Sequence, residues 1–366
     1  MVRDPNRRSL PLAEWPAADQ AGWNALLEDG DILGDHGAGA HWAPATRALI
    51  IQSYGHWLGW LQRTRPEILQ LVPADRVKPE VIADYAAWMR EIVAPLTVAL
   101  RMQPILQVVV PLAPGQDWSW LKRLARRLKS RAVPVRNKKD RLIGIDELYA
   151  QGAVMMAEAV RSTAQDWRDA QHFRDGLMLC FLASRPLRMR NFSAIEIGRH
   201  LCRRGTGFDL RFEGSETKTG QEIDGPVPAA LAPLLVRYLE VYRPLLRVRA
   251  EAPPPTDLLW ISRNGTPMGT GTIYARIITL TCREFGMSIN PHMFRDCAAT
   301  SIAMEDPEHV RITTHILGHR SMHTSERHYN HSRANQALQR HQDNVLHLRG
   351  KVVAPPRRRA YRSGKK

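Results

Sequence analysis

The sequence predicts a mainly α-helical protein with one small β-sheet, an α+β fold made of an all-helical N-terminal domain followed by a mixed domain in which helices dominate. Apolar and aromatic residues recur at helical spacing through the first third of the chain: Ile50, Tyr54, Trp57 and Leu61 fall at i, i+4, i+7 and i+11, and Val81, Tyr85, Trp88 and Ile92 repeat the step. The pattern changes after Arg199, where Phe208, Leu210 and Phe212 alternate as in a strand. At 366 residues the chain is long enough for two domains, each with its own core.

From about Leu10 to Leu128 the reading is helical throughout. Pro79 opens the segment of Val81 to Ile92 at a helix-start position, because a helix has no use for the first-turn N–H that proline lacks. The aromatic stripes are core positions. Ten basic residues (Lys122, Arg123, Arg126, Arg127, Lys129, Arg131, Arg136, Lys138, Lys139 and Arg141) stand against one acid, Asp140. Leu121, Leu124 and Leu128 give the first half of this run an apolar face, so it reads as a basic amphipathic helix entering a polar linker. The expected organisation is a helical domain over 1–130, a basic linker over 131–144, a second domain over 145–348 and a basic tail over 349–366. A basic strap between two domains suits a pair that closes around DNA. The tail, with Arg357, Arg358, Arg359, Lys365 and Lys366 and no acid, reads as disordered and able to bind phosphates without sequence preference.

The second domain starts near Ile145 with helical sequence. Gly214 to Gly220 reads as a turn, Glu222 to Val227 as a returning strand, and Asp257 to Ser262 as a third short strand before the Arg263-Asn264-Gly265 turn. Helices resume at Thr272. Asn290 then Pro291 form an N-cap and first helical residue, which puts His292 and Arg295 in the opening turns of one helix.

Composition narrows the partners. With a formal charge of +16 and a pI near 10.2, the chain gains counterion-release free energy from a polyanion, so nucleic acid is the expected ligand. No apolar run approaches the roughly 20 residues that cross a bilayer, and the N-terminal MVRDPNRRSLPLAEW has no apolar centre, so no membrane partner and a cytoplasmic, nucleoid-associated protein are expected. Cys180, Cys202, Cys282 and Cys297 are scattered and read as reduced thiols. His315, His319 and His323 recur every fourth residue, with His328 and His331 behind them. Gly318 interrupts that series and no Cys or H-E-x-x-H joins it, so no metal site is assigned.

The stretch from Pro291 to Ser332 carries the chemistry. His292-x-x-Arg295 places two proton-carrying or cationic groups on one helical face, Leu317-Gly318-His319 returns a second histidine after a helix end, and Tyr329 follows. A single H-x-x-R is common by chance. The ordered set fits a site that grips a phosphodiester and attacks it with a tyrosine, and it calls for a further arginine and a lysine upstream to serve the non-bridging and leaving oxygens.

Upstream, Ser184-Arg185-Pro186-Leu187-Arg188-Met189-Arg190-Asn191-Phe192-Ser193-Ala194-Ile195 resembles the tyrosine recombinase (phage integrase) family, whose first catalytic arginine lies in a leucine-arginine turn. Arg188 fits that place best, with Arg185 and Arg190 as competitors; the acidic residue common three positions on is Asn191 here. Thr217-Lys218-Thr219-Gly220 occupies the hairpin where the family carries a lysine, and His292, Arg295, His319 and Tyr329 match the later motifs in order. The His319-to-Tyr329 step is one residue longer than in many members, and Tyr274, Tyr242 and Tyr361 are weaker candidates for the nucleophile. The resemblance covers roughly 145–348. The helical N-terminal domain matches the family's core-binding domain by type and position only.

The resemblance implies a site-specific recombinase or integrase, such as mobile elements carry, that cuts and rejoins double-stranded DNA at core sites through a 3′-phosphotyrosyl intermediate. Arg188 and Arg295 would hold the scissile phosphate, His292 would move the nucleophile's proton, Lys218 would protonate the leaving 5′ oxygen, and His319 would hydrogen-bond the phosphate. Bond energy is conserved in the intermediate, so no cofactor, neither ATP nor metal, is expected. Lys122, Arg123, Arg126, Arg127, Lys129, Arg136, Lys138 and Lys139 are the expected DNA-binding residues. Exchange of a C-terminal helix over Ser332 to Leu348 implies a homo-tetramer on DNA. A type IB topoisomerase-like enzyme and a DNA-binding accessory protein without cleavage remain the alternatives.

Overall fold

The computed structural model describes residues 9–30, 36–133, 141–251 and 255–305, with the backbone alone over 302–305. The chain divides into two compact units, Met1–Asn137 and Lys138–Lys366.

In the first unit, every element described is a helix: a 3₁₀ turn at Leu12–Glu14, then α1 (Ala17–Leu27), α2 (Pro44–Thr64), α3 (Pro66–Leu69), α4 (Pro79–Ile92), α5 (Pro95–Leu112) and α6 (Ser119–Arg131). Proline opens four of these, α2 to α5. The α2 stripe of Ile50, Tyr54, Trp57 and Leu61 is wholly buried. On α4 the buried face is turned from the one the spacing predicts: Val81, Ile82, Tyr85 and Met89 are in the core, whereas Trp88 and Ile92 are half-buried. Packing explains the turn, since Trp88 lies at the cluster's edge against His56 and Trp60, ring centroids 5.5 and 6.4 Å away. Asp19, Arg76 and Tyr54 form a buried polar knot: Arg76 Nη1 donates to Asp19 Oδ2 at 2.6 Å and the Tyr54 hydroxyl to Oδ1 at 2.7 Å. Of the described helices, Pro95–Leu112 is long and apolar enough to cross a membrane by length and composition. Here its Val98, Met102, Ile105 and Val109 are buried in the unit's core.

The second unit begins with α7 (Ile145–Arg161) and α8 (Trp167–Ser184), which cross at glycines. A Cβ on Gly152 would lie 2.6 Å from the Gly176 carbonyl oxygen, so neither glycine can carry a side chain at this spacing. α8 starts from an Asp166/Asp169 capping box and leads through the short helix α9 (Met189–Ser193) into an antiparallel sheet of β1 (Leu201–Arg204), β2 (Gly207–Phe212) and β3 (Ile223–Pro226) in that order. β1 is a strand the alternation did not reveal, because Leu-Cys-Arg-Arg buries only its first residue. Pairing runs Leu201 to Leu210 and Phe212 to Ile223. Asp257 to Ser262 is no member of this sheet; it makes isolated bridges, Leu258 to Glu196 and Ile261 to Pro267.

α10 (Ala232–Arg237) continues through a π-helical turn, Tyr238–Tyr242, into α11 (Arg243–Arg247). α12 (Thr270–Phe285) and α13 (Pro291–Glu305) complete the described part. α12 ends on Gly286, whose φ of 66° is the left-handed conformation glycine adopts without a Cβ clash. It is tied to α8 by Asp175, fully buried, which accepts from its neighbour Arg174 at 2.6 Å and from Arg276 Nε at 2.8 Å. The protein is thus mainly α with a small three-stranded sheet, as the sequence predicts.

Candidate active site

Three segments far apart in sequence converge in the second unit. The first is the turn between α8 and α9. Arg185 N returns to the Phe181 carbonyl and ends α8; Pro186 then blocks its continuation, and Arg188 leads into α9. The turn is fixed from behind, where Trp260 Nε1 donates to the Phe192 carbonyl at 3.0 Å and Leu259 N to the Ile195 carbonyl at 2.8 Å. Phe192 itself is fully buried.

The second segment is α13. Asn290 caps it, its Oδ1 accepting from Met293 N at 3.1 Å. The loop before it is pinned by buried Thr281, whose hydroxyl accepts from Ile289 N at 2.9 Å. Met293, Phe294 and Cys297 bury the inner face. Arg295 is therefore held inside the unit, 5% exposed, and donates from Nη1 to the Pro186 carbonyl at 2.6 Å, which joins α13 to the α8–α9 turn. His292 is exposed on the first turn of the same helix.

The third segment links β2 to β3. Arg188 Nη1 reaches Thr219 Oγ1 at 3.4 Å, and Asn191 Nδ2 donates to the Glu216 carbonyl at 3.2 Å, so the hairpin that carries Lys218 is tied to the turn that carries Arg188. Lys218 is exposed at its tip. Thr217 closes the loop beneath it, its hydroxyl bridging the Gly214 and Gln221 carbonyls at 3.1 and 2.8 Å.

Electrostatics mark the two arginines. The Arg295 guanidinium is lowered to about 10, first by burial and then by the positive charge of Arg188, while Asp296 acts the other way. Burial also lowers Arg188. Two guanidiniums close enough to feel each other in a partly desolvated place form a setting in which an added anion is stabilised by both.

Among the competing arginines, Arg190 is exposed, and Arg185 points to β3, its guanidinium 3.6 Å from where a Gly225 Cβ would stand. Arg188 alone of the three donates to the Lys218 hairpin among the described contacts. Of the other tyrosines, Tyr242 is buried and stacked on Phe173 at 4.3 Å, whereas Tyr274 is 42% exposed on α12. His319, Tyr329, Tyr361 and the histidines around them lie outside the described residues, as do Arg136, Lys138, Lys139 and the segment Ser332 to Leu348. Lys122, Arg123, Arg126, Arg127 and Lys129 are all exposed on α6 of the first unit, with Leu121 buried beneath them. No group of three or more metal-ligating side chains occurs among the described residues. Glu216 and His200 belong to the architecture of this site and were not signalled by any motif. Asn191, a departure from the expected acid, is explained by its amide donating to a carbonyl, which a carboxylate could not do.

A family model described as the phage integrase family matches residues 153–336. The tyrosine recombinase XerC of Pseudomonas savastanoi pv. phaseolicola is 32% identical over 88 residues, 24% of this chain and 28% of that protein. XerC of Pseudomonas entomophila is 24% identical over 153 residues, 42% of this chain and 46% of its own length. The chain thus spans less than half the length of these curated relatives. Among solved structures, XerH site-specific recombinase bound to difH substrate has a TM-score of 0.52 at 14% identity, over 80% of this chain and 77% of that one. The Tn1549 transposon integrase in complex with transposon right end DNA has a TM-score of 0.52 at 14% identity, over 88% and 98%. These two likenesses are of fold.

Proposed function

Because the chain belongs to the phage integrase family, we propose that it is a site-specific DNA recombinase that cuts and rejoins double-stranded DNA through a covalent 3′-phosphotyrosyl intermediate. The observation that carries the reading is the pairing of Arg188 and Arg295: two partly buried guanidiniums, each lowered by desolvation and one also by the other, beside the hairpin of Lys218. A cell of like charge costs folding free energy unless an anion enters it.

In the proposed reaction the two arginines hold the non-bridging oxygens of the scissile phosphate and neutralise the charge that grows in the pentacoordinate transition state. Tyr329 Oη bonds to phosphorus. Its proton leaves to an acceptor, because a phenol with a reference pKa of about 10 is a poor nucleophile at neutral pH. His292, on the helix of Arg295, is that acceptor, and His319 hydrogen-bonds the phosphate. As the P–O5′ bond breaks, the Lys218 ammonium gives its proton to the departing 5′ oxygen. A 5′-hydroxyl of another strand then attacks the phosphotyrosine, releases Tyr329 and reseals the backbone, so no external energy source is consumed.

The α6 cations Lys122, Arg123, Arg126, Arg127 and Lys129, followed in sequence by Arg136, Lys138 and Lys139, neutralise backbone phosphates of the bound DNA. The working unit is a homo-tetramer on two core sites, assembled by exchange of the C-terminal helix. A nicked duplex that loses its 5′-hydroxyl fragment on cleavage tests the chemistry. Incubation should trap a protein–DNA adduct that survives denaturant, whereas binding without any adduct on the selected site would favour an accessory DNA-binding protein.

A further inference from the structure

The loop of Lys218 is held from below by a hydrogen-bonded pair that no catalytic motif includes. Glu216 closes the 3₁₀ turn Gly214–Glu216, two residues before Lys218. Its Oε1 accepts from Arg199 Nη2 at 2.6 Å and lies 3.1 Å from His200 Nε2, while Oε2 accepts from Glu213 N at 3.0 Å. His200 is only 3% exposed, and its ring stacks on Phe212 at the end of β2, centroids 4.3 Å apart at 18°. Its Nδ1 accepts from the Glu196 backbone N–H at 3.1 Å. That bond fixes the tautomer: the proton sits on Nε2 and is donated to Glu216.

The pair thus runs from the start of β1 to the base of the hairpin, and the carbonyl of the same Glu216 takes the Asn191 amide. One residue is gripped at its backbone by the α9 side and at its carboxylate by the β1 side. The hydrogen bond from His200 and that from the Glu213 backbone hold the Glu216 carboxyl below the usual range, which keeps the tie ionised at neutral pH. The Lys218 side chain makes no hydrogen bond among the described contacts, so its aim is set by the loop, which this pair holds together with the Thr217 and Thr219 contacts.

We propose that His200 and Glu216 are positioning residues for Lys218, setting where its ammonium stands relative to the leaving 5′ oxygen. The proposal rests on the reading of Lys218 as the general acid. A general acid contributes about 10²–10⁴-fold, and a misplacement of roughly 1 Å costs about 100-fold. Its loss should be invisible when the leaving group needs no proton. The test uses the full chain and a duplex selected from a random library by the Tyr329→Phe protein, with the scissile phosphate mapped by the unmodified protein. Cleavage is compared on the all-oxygen duplex and on one with sulfur as the bridging 5′ atom, where the P–S bond breaks to a thiolate that leaves unprotonated.

Glu216→Ala should cut the oxygen duplex about 100-fold more slowly and the sulfur duplex within about 3-fold of the unmodified protein. His200→Phe, which keeps the stack and loses the Nε2 donor, should show the same pattern with about a 10-fold loss. Glu216→Gln, whose amide oxygen can still accept from His200 and Arg199 while its NH2 loses only the Glu213 N–H bond, should restore cleavage of the oxygen duplex to within about 10-fold. Equal slowing on both duplexes, or no slowing on the oxygen duplex, overturns the positioning role. Lys218→Met is the separate check: if sulfur rescues it but not Glu216→Ala, only the inference falls. If sulfur does not rescue Lys218→Met, or the unmodified protein cleaves neither duplex, the general-acid reading falls and takes the inference with it.

Discussion

Arg295 is where folding and the proposed chemistry pull in opposite directions. Its guanidinium, lowered to about 10, still carries its charge at neutral pH, and the unfolded chain holds that proton more tightly than the fold does. A depressed pKa of this kind makes the fold more stable only as pH rises through the window from about 10 to the ordinary arginine value. At neutral pH the cost is present in full. Arg295→Met should therefore leave the thermal midpoint of the DNA-free protein unchanged or raise it, while slowing cleavage at least about 100-fold with DNA binding nearly intact. A midpoint lowered by the equivalent of more than about 1 kcal/mol would mean that the bond to the Pro186 carbonyl dominates instead. At this scale the motifs name Arg188, Arg295 and Lys218 as candidates, because a motif fixes residue type and order. They do not name His200 and Glu216, whose hydrogen bonds span intervals that carry no period.

Elements were legible where one face decides their burial. The α2 stripe and the Asn290-Pro291 start of α13 follow directly from periodicity and capping. The turned face of α4 and the strand β1 escaped because neighbours, not spacing, set them: Met89 fills the core where Ile92 was expected, and β1 is held mainly by its pairing with β2. The Asp19–Arg76–Tyr54 knot likewise joins α1, α2 and the segment before α4 through charges that leave no pattern. Its arginine and carboxylate are 1% and 0% exposed, so Asp19→Ala strands a buried cation and should destabilise the first unit by roughly 3–5 kcal/mol. Tryptophan emission in urea reports it, since eight of the ten tryptophans precede residue 121. An unchanged emission midpoint would show that water reaches Arg76 once the carboxylate is gone.

For the whole molecule, the charge of +16 is the property the sequence states without any structure, and two units with separate cores are what its length allows. The α6 cations turn that total into a surface. Replacing Lys122, Arg126 and Lys129 with glutamine should lower the slope of log affinity against log salt by about 2 to 3, and weaken different DNA sequences alike. A changed sequence preference would mean that these side chains read bases. The central claim is the covalent attachment of DNA to Tyr329, and peptide mass measures it most directly. After cleavage of the suicide duplex, nuclease trimming and trypsin digestion, the peptide His328–Arg333 should carry the mass of a 3′-linked nucleotide or short oligonucleotide on Tyr329. The same mass found on a peptide containing Tyr274 or Tyr361, or an adduct that persists in Tyr329→Phe, would contradict the account.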